Sequence, residues 1–508
     1  MRSSSVSDIY KKFTQQSLVL HRFRNGRNFS TQSEHPKPYK SIPGLNSLPV
    51  IGTLHHFLPL VGEVGMKANM FEMFIVLHKK YGPIVKMEGL FSRADMVLLF
   101  EPEHFEQVYK AEEAHPWRPG FESLEYYREN LRRSTFDGVY GLTTAQGAKW
   151  REFRTKVNPA MLKPKLVKLY APGLDEIAKE MVDRLTRLKD QGDYLKQYYD
   201  KEVTRWSLES VAFVGLGTRL GSLNDGLPED HPSNILIKCS KDIMDLTFKL
   251  ELLPRFLKFF TKSTFMKLMD VLDLQWEIST RYINEVRKSI NERENEMLEE
   301  DKSIIEKLLA IDEKVAVMMA NEMLLAGIDT VAFTTTNLLY HLSINPNVQD
   351  KLREEIRSGE TSRYLKACLK EALRMWHVIP GNLRRASKEH IVGGYVIPRG
   401  VDVIAPNEYL SRLEKYYPQP NKFIPERWLV DKTDPLYHGR AHPMVTLPFG
   451  FGVRSCIGRR IAELEIEILF KRLINELKVS WEGPPLKVVS KLMNSFAKPF
   501  YFKFEKAE

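Results

Sequence analysis

The stretch FGFGVRSCIG, residues 449–458, sets Phe449, Gly452, Arg454, Cys456 and Gly458 at the spacing F-x-x-G-x-R-x-C-x-G. Each residue type has a chemical reason to be there. A cysteine binds metal as its thiolate, which persists only where donors and positive charge lower its pKa. Gly452 and Gly458 permit turns and close approaches that aim backbone N–H groups at the sulfur. Arg454 brings charge, and Phe449 screens the sulfur from water. An isolated cysteine is more often a packed core residue. The surrounding pattern is what favours a ligand.

Other motifs precede it. LLAGIDTV, residues 324–331, lies mid-way along an expected helix. Gly327 should weaken that helix locally, and Thr330 can bond a backbone carbonyl of its own helix. Alone, this is a bent helix with a satisfied threonine. Glu371 and Arg374 are an i,i+3 pair in YLKACLKEALRMW, a spacing that usually marks a surface ion pair of small value. Trp150 and Arg154 stand one helical turn apart in KWREFR, where a plain Trp–Arg stack would suffice.

In this order the motifs resemble those of the cytochrome P450 family, over roughly residues 40–505, and most closely its mitochondrial members from insects. The resemblance implies a fold that is mainly α with a minor β region, as one large haem-binding domain. It implies haem b with the Cys456 thiolate as axial ligand, a ligand that favours O–O cleavage. Arg454, Trp150, Arg154 and Arg384 would bind haem propionates, with Phe449, Gly452 and Gly458 shaping the loop. Asp329 would relay protons toward the oxygen being activated, and Thr330 would stabilise it. Glu371, Arg374 and Arg427 of FIPERW would form a buried structural cluster. Lys366, Lys370, Arg459 and Arg460 would face a small acidic mitochondrial ferredoxin, which passes on electrons from NADPH through ferredoxin reductase. Electrostatic steering is the rationale for that basic face.

Composition adds location. The net charge is +10, and residues 1–33 hold six basic residues against Asp8 alone. That basic, serine-rich, acid-poor segment reads as a mitochondrial transit peptide over residues 1–29, leaving 30–508 as the enzyme domain. Cleavage is expected after Phe29; an ordinary disordered tail is the alternative. No apolar anchor helix opens the chain, so the matrix side of the inner membrane is the expected site. LLPRFLKFF, residues 252–260, reads as an interfacial contact or equally as core. Three scattered cysteines, Cys239, Cys368 and Cys456, are too few for a disulfide framework or zinc site. No nucleic-acid partner is implied.

Length alone suggests about three domains. Periodicity predicts a helix near Phe71–Lys80, a strand pair at Ile84–Met87 and Met96–Phe100, and helices at 312–344, 364–376 and 457–476. Short strands are expected at Val392–Ile397 and Asp402–Ile404, and an irregular stretch at 115–127. One departure from the family is the short link of residues 357–363, beside the expected ferredoxin face. Trp117, Phe121 and Phe248 suggest a bulky lipophilic substrate, a xenobiotic or a lipid such as a steroid. The main rival is a haem-thiolate isomerase or dehydratase needing no external electrons, a class that tends to lack the Asp329–Thr330 pair. A haem-binding sensor or carrier without turnover is a third reading.

Overall fold

The run from Val315 to Ser343 is apolar on every side, so a helix made from it must be covered all round. In the computed structural model it is the central helix, Glu313–Ser343, capped where the Asp312 carboxylate accepts from the Val315 N–H at 3.1 Å. It is long and apolar enough to cross a membrane, yet most of it is buried inside the protein. The structure describes residues 35–48, 52–58, 62–65, 69–89, 94–112, 114–252, 262–292, 302–359 and 362–508. Residues 1–29 and almost all of the 252–260 stretch therefore lie outside the described residues. Pro38–Glu508 form one compact unit, where chain length suggested about three domains.

The helix Tyr194–Gly215 packs along the central helix, and Lys262–Asn291 and Arg363–Met375 also lie against it. Gly327 explains one approach. A Cβ there would sit 2.6 Å from Cγ2 of Val211, so only glycine admits the neighbouring helix. Ser207 donates to the Ile328 carbonyl at 2.7 Å across the same crossing. The central helix continues through Gly327 without interruption, so this glycine is a contact point rather than a weak spot.

The β region is minor, as expected. One sheet has the order Gly44–Leu45, Ile84–Met87, Met96–Leu99, Asp402–Ala405, Asn382–Arg385, and carries its own core around Phe74, Phe100 and Phe105. The expected Ile84–Met87 and Met96–Leu99 pair is antiparallel. Val392–Ile397 is not one strand. It belongs to a hairpin, His390–Val392 with Tyr395–Ile397, turned by Gly393 and Gly394 at φ +56° and +81°. Two glycines at positive φ are what a tight hairpin needs. The irregular stretch ends in a short helix at Glu122–Tyr126, and the C-terminal strand pairs were not foreseen.

The short 357–363 link is closed by a side chain. Gly359, at φ +68°, ends the helix Pro346–Ser358. The Glu355 carboxylate then accepts from the N–H groups of Tyr364 and Leu365 at 2.7 and 3.1 Å. It caps the helix Arg363–Met375, a favourable place for negative charge.

Glu465, on the helix Arg459–Glu476, is buried, with one carboxylate oxygen lacking a hydrogen-bond partner. Burial pushes its pKa from 4.5 up to about 8. Between those values the folded chain holds a proton that the unfolded chain releases, so stability falls as pH rises. Glu465→Gln should match the parent near pH 4.5 and exceed its stability by up to roughly 5 kcal/mol above about pH 8. Denaturant unfolding of the holoprotein across that range reads this out, and a pH-independent difference would contradict it.

Candidate active site

The cysteine loop is built from turns. Gly450 and Gly452 sit at φ +74° and +65°, and residues Gly452–Arg454 form one 3-10 turn. The Cys456 N–H donates to the Phe449 carbonyl at 2.8 Å, closing the loop. Gly458 has a φ of −84° and begins the next helix, so it needs no left-handed freedom. Its N–H and that of Arg459 donate to the Cys456 sulfur.

Cys456 is accessible, yet protein encloses it on nearly all sides, so its sulfur fronts an internal hollow. Burial pushes its pKa up, outweighing the Gly458 and Arg459 N–H groups and the charges of Arg154 and Arg118. Thiolate character at this sulfur would therefore be favoured by a bound cation.

Guanidinium groups crowd this hollow. Arg154 donates to Asn158 Oδ1 at 2.7 Å and to the Ser455 carbonyl at 3.1 Å. Trp150 lies between Arg154 and Arg454, its ring centroid 6.0 and 4.2 Å from their guanidinium carbons. Arg384 pairs with Glu112 at 2.6 Å and donates to the Phe451 carbonyl at 3.2 Å. Arg454 gives most of its donors to the protein: Ala145 O at 2.9 Å, Gln146 Oε1 at 2.8 Å, and the carbonyls of Pro116 and Leu142. Desolvation and the neighbouring cations Arg118 and Arg384 push its pKa down to about 8. Arg118, which the motifs did not point to, is pushed down to about 10 by desolvation and by Arg384. It also feels Glu322 on the central helix and Cys456, placing helix and loop around one space. Cations drawn out of solvent beside one another, with Glu112 as the carboxylate paired to Arg384, suit a ligand that brings negative charge of its own. A thiol facing the hollow and guanidiniums around it fit haem, with its iron and two propionates.

The central helix has a gap in its burial. Ala326, Gly327, Asp329 and Thr330 are open within a stretch otherwise enclosed. Thr330 Oγ1 donates to the Ala326 carbonyl at 2.6 Å, leaving lone pairs toward the open side. Asp329 Oδ2 accepts from Ser240 Oγ at 2.8 Å, and burial pushes its pKa up. Ser240 comes from the helix Pro232–Leu252 and had no signal in the sequence.

Glu371, Arg374 and Arg427 are fully buried together. Arg374 donates to both carboxylate oxygens of Glu371, at 2.9 and 2.8 Å. Arg427 Nε, Trp428 Nε1 and the Ile424 N–H also donate to Glu371, at 2.9, 2.9 and 3.1 Å.

Lys366, Lys370 and Arg459 share a surface groove of about 450 Å³ with Trp428, Phe449 and Gly450. Lys366 is 3.6 Å from Glu467, and Arg459 pairs with Glu463 at 2.9 Å. Arg460 is exposed but does not line this groove.

Comparison with known proteins agrees with this geometry. The Cytochrome P450 family profile matches residues 43–503. "Probable cytochrome P450 12b2, mitochondrial" of Drosophila melanogaster is 34% identical over 524 residues, 99% of this chain and 95% of the relative. Cytochrome P450 CYP12A2 of Musca domestica is 34% identical, with 97% of this chain and 99% of the relative covered. "Cytochrome P450 12b1, mitochondrial" of Drosophila acanthoptera is 36% identical, with 90% and 88% covered. The chain belongs to the cytochrome P450 family. It is a mitochondrial haem-thiolate monooxygenase.

Neutralising the buried carboxylate tests the cluster. Glu371→Gln leaves two buried guanidiniums uncompensated and should cost about 3–5 kcal/mol. Denaturant unfolding would show it as a large fall in midpoint, and a loss below about 1 kcal/mol would contradict the assignment.

Proposed function

We propose that this enzyme hydroxylates a lipophilic xenobiotic or lipid, using O2 and two electrons delivered by a mitochondrial ferredoxin. The observation that carries this reading is the basic groove. Lys366, Lys370 and Arg459 line it together with Phe449, whose carbonyl accepts the Cys456 N–H at 2.8 Å. A partner seated there is separated from the cysteine by one loop. Lys366, Lys370 and Arg459 outnumber Glu463 and Glu467 around an apolar floor, and that net positive charge suits a small acidic protein by steering and by complementarity.

When bound, haem supplies the oxygen activation. The chain's residues prepare the space for it. Cys456 presents the ligating sulfur, with the Gly458 and Arg459 N–H groups fixing its orientation. Arg118, Arg154 and Arg384 would hold the propionates, and Arg454 braces Arg118's neighbourhood by donating to the Pro116 carbonyl. Phe449 excludes water from the groove side.

Across the hollow, Asp329 has its pKa raised by burial, which favours the protonated form that a relay must hand on. Ser240 Oγ, 2.8 Å away, is the next hydroxyl along that path. Thr330 keeps its own proton on the Ala326 carbonyl and presents its oxygen to the open side. The bulky, partly exposed Trp117 and half-buried Phe121 and Phe248 support an apolar substrate. Peripheral contact with the inner membrane would give such a substrate its route in.

Reversing charge in the groove separates docking from chemistry. Lys366→Glu with Lys370→Glu should raise the KM for ferredoxin at least about tenfold, as each charged contact contributes on the order of 1 kcal/mol. Turnover driven by a small chemical reductant should stay at the parental rate. Reconstitution with ferredoxin and its reductase checks this, and an unchanged KM would contradict the groove as the electron entry.

A further inference from the structure

The geometry points to a second ligand site, an oxyanion pocket for a phosphate group between the helices Ala171–Leu188 and Tyr194–Gly215. The hollow measures about 470 Å³ and is lined by Arg184, Arg187, Arg205, Tyr194 and Asp225. None of these residues belongs to the cysteine loop or to the central helix.

Arg205 carries the argument. It is only 6% exposed, its Nε is sealed from solvent without a hydrogen-bond partner, and it forms no ion pair among the described residues. Glu202, one turn earlier on the same helix, is fully committed elsewhere. Its Oε2 accepts from Arg184 Nε, and its Oε1 accepts from the Tyr194 hydroxyl at 2.8 Å. Asp225 pairs with Arg184 and reaches Arg187 at 3.5 Å, but its side chain is 69% exposed. Three guanidiniums thus meet two carboxylates, and the cation left over is a buried one.

A buried charge without a partner is strongly unfavourable, and a bound anion relieves it. Guanidinium forks match the oxygens of phosphate in bidentate fashion. Asp225, exposed but bonded to Arg184 and within reach of Arg187, serves as an internal anion that an entering phosphate displaces. The pocket is several times larger than a phosphate ion, leaving room for the group that carries it. That carrier is either a soluble phosphate ester or a phospholipid headgroup.

The haem-loaded protein, titrated with inorganic phosphate against chloride at matched ionic strength, tests the site by thermal shift and calorimetry. Phosphate should stabilise the parent. Arg205→Met, which keeps the bulk of the side chain, should weaken phosphate binding at least tenfold while retaining the haem-thiolate spectrum. Asp225→Asn should tighten binding several-fold. Sedimentation with vesicles of phosphatidylcholine alone, or of equal parts phosphatidylcholine and phosphatidic acid, then identifies the source. Acid-lipid binding that Arg205→Met abolishes assigns a headgroup; its absence, or its persistence in that variant, assigns a soluble ester. No phosphate-specific stabilisation, or an effect that Arg205→Met leaves intact, overturns the proposal.

Discussion

Glu371 accepts five hydrogen bonds in a place closed to water, from Arg374, Arg427, Trp428 and the Ile424 backbone. A carboxylate in such a place is tolerable only if its partners stay put. That demand ties the helix Arg363–Met375 to the segment 411–428, since Arg374 also donates to the Ser411 carbonyl and Arg427 to that of Pro418. Trp428, held by Glu371, then forms part of the groove that includes Phe449. The ionic knot and the cysteine loop thus border one groove. The family resemblance implied a buried structural cluster of Glu371, Arg374 and Arg427, and the three are buried together.

The same electrostatic logic separates scaffold from site. Where charge is balanced, as at Glu371 or in the ion pair of Arg128 with Glu322, the buried ions hold elements together. Where charge is left over, a ligand is expected. Around Cys456 the surplus guanidiniums of Arg118, Arg154, Arg384 and Arg454 suit an anionic cofactor. The lone Arg205 suits an anion of a different kind.

Motifs were legible where chemistry fixes both residue type and chain spacing. Phe449 to Gly458, Glu371 with Arg374, and Trp150 with Arg154 are local patterns that the structure brings together, although Glu371 and Arg374 pair in the interior where their spacing alone suggested the surface. What the sequence hid are contacts made across long chain separations. Arg118 belongs to a loop with no periodicity, and its importance comes only from neighbours it meets in space. Ser240 reaches Asp329 from another helix. Gly327 was misread as a helix weakness because its real constraint, Val211, lies on the helix Tyr194–Gly215. Glu355, capping the helix Arg363–Met375, explains how the short 357–363 link is closed. Arg460 shares the sign of its neighbours but does not line their groove. Charge can be read from sequence, whereas its direction comes from the fold.

Everything about the reaction rests on Cys456 as the sulfur ligand. Its two alternatives, Cys239 and Cys368, are packed in the core, whereas the Cys456 side is accessible. The carbon monoxide difference spectrum of reduced Cys456→His protein is therefore the most direct measurement. The red-shifted, thiolate-type band should be lost while the protein still binds haem. Persistence of that band in the variant would contradict the account, since another residue would then hold the iron.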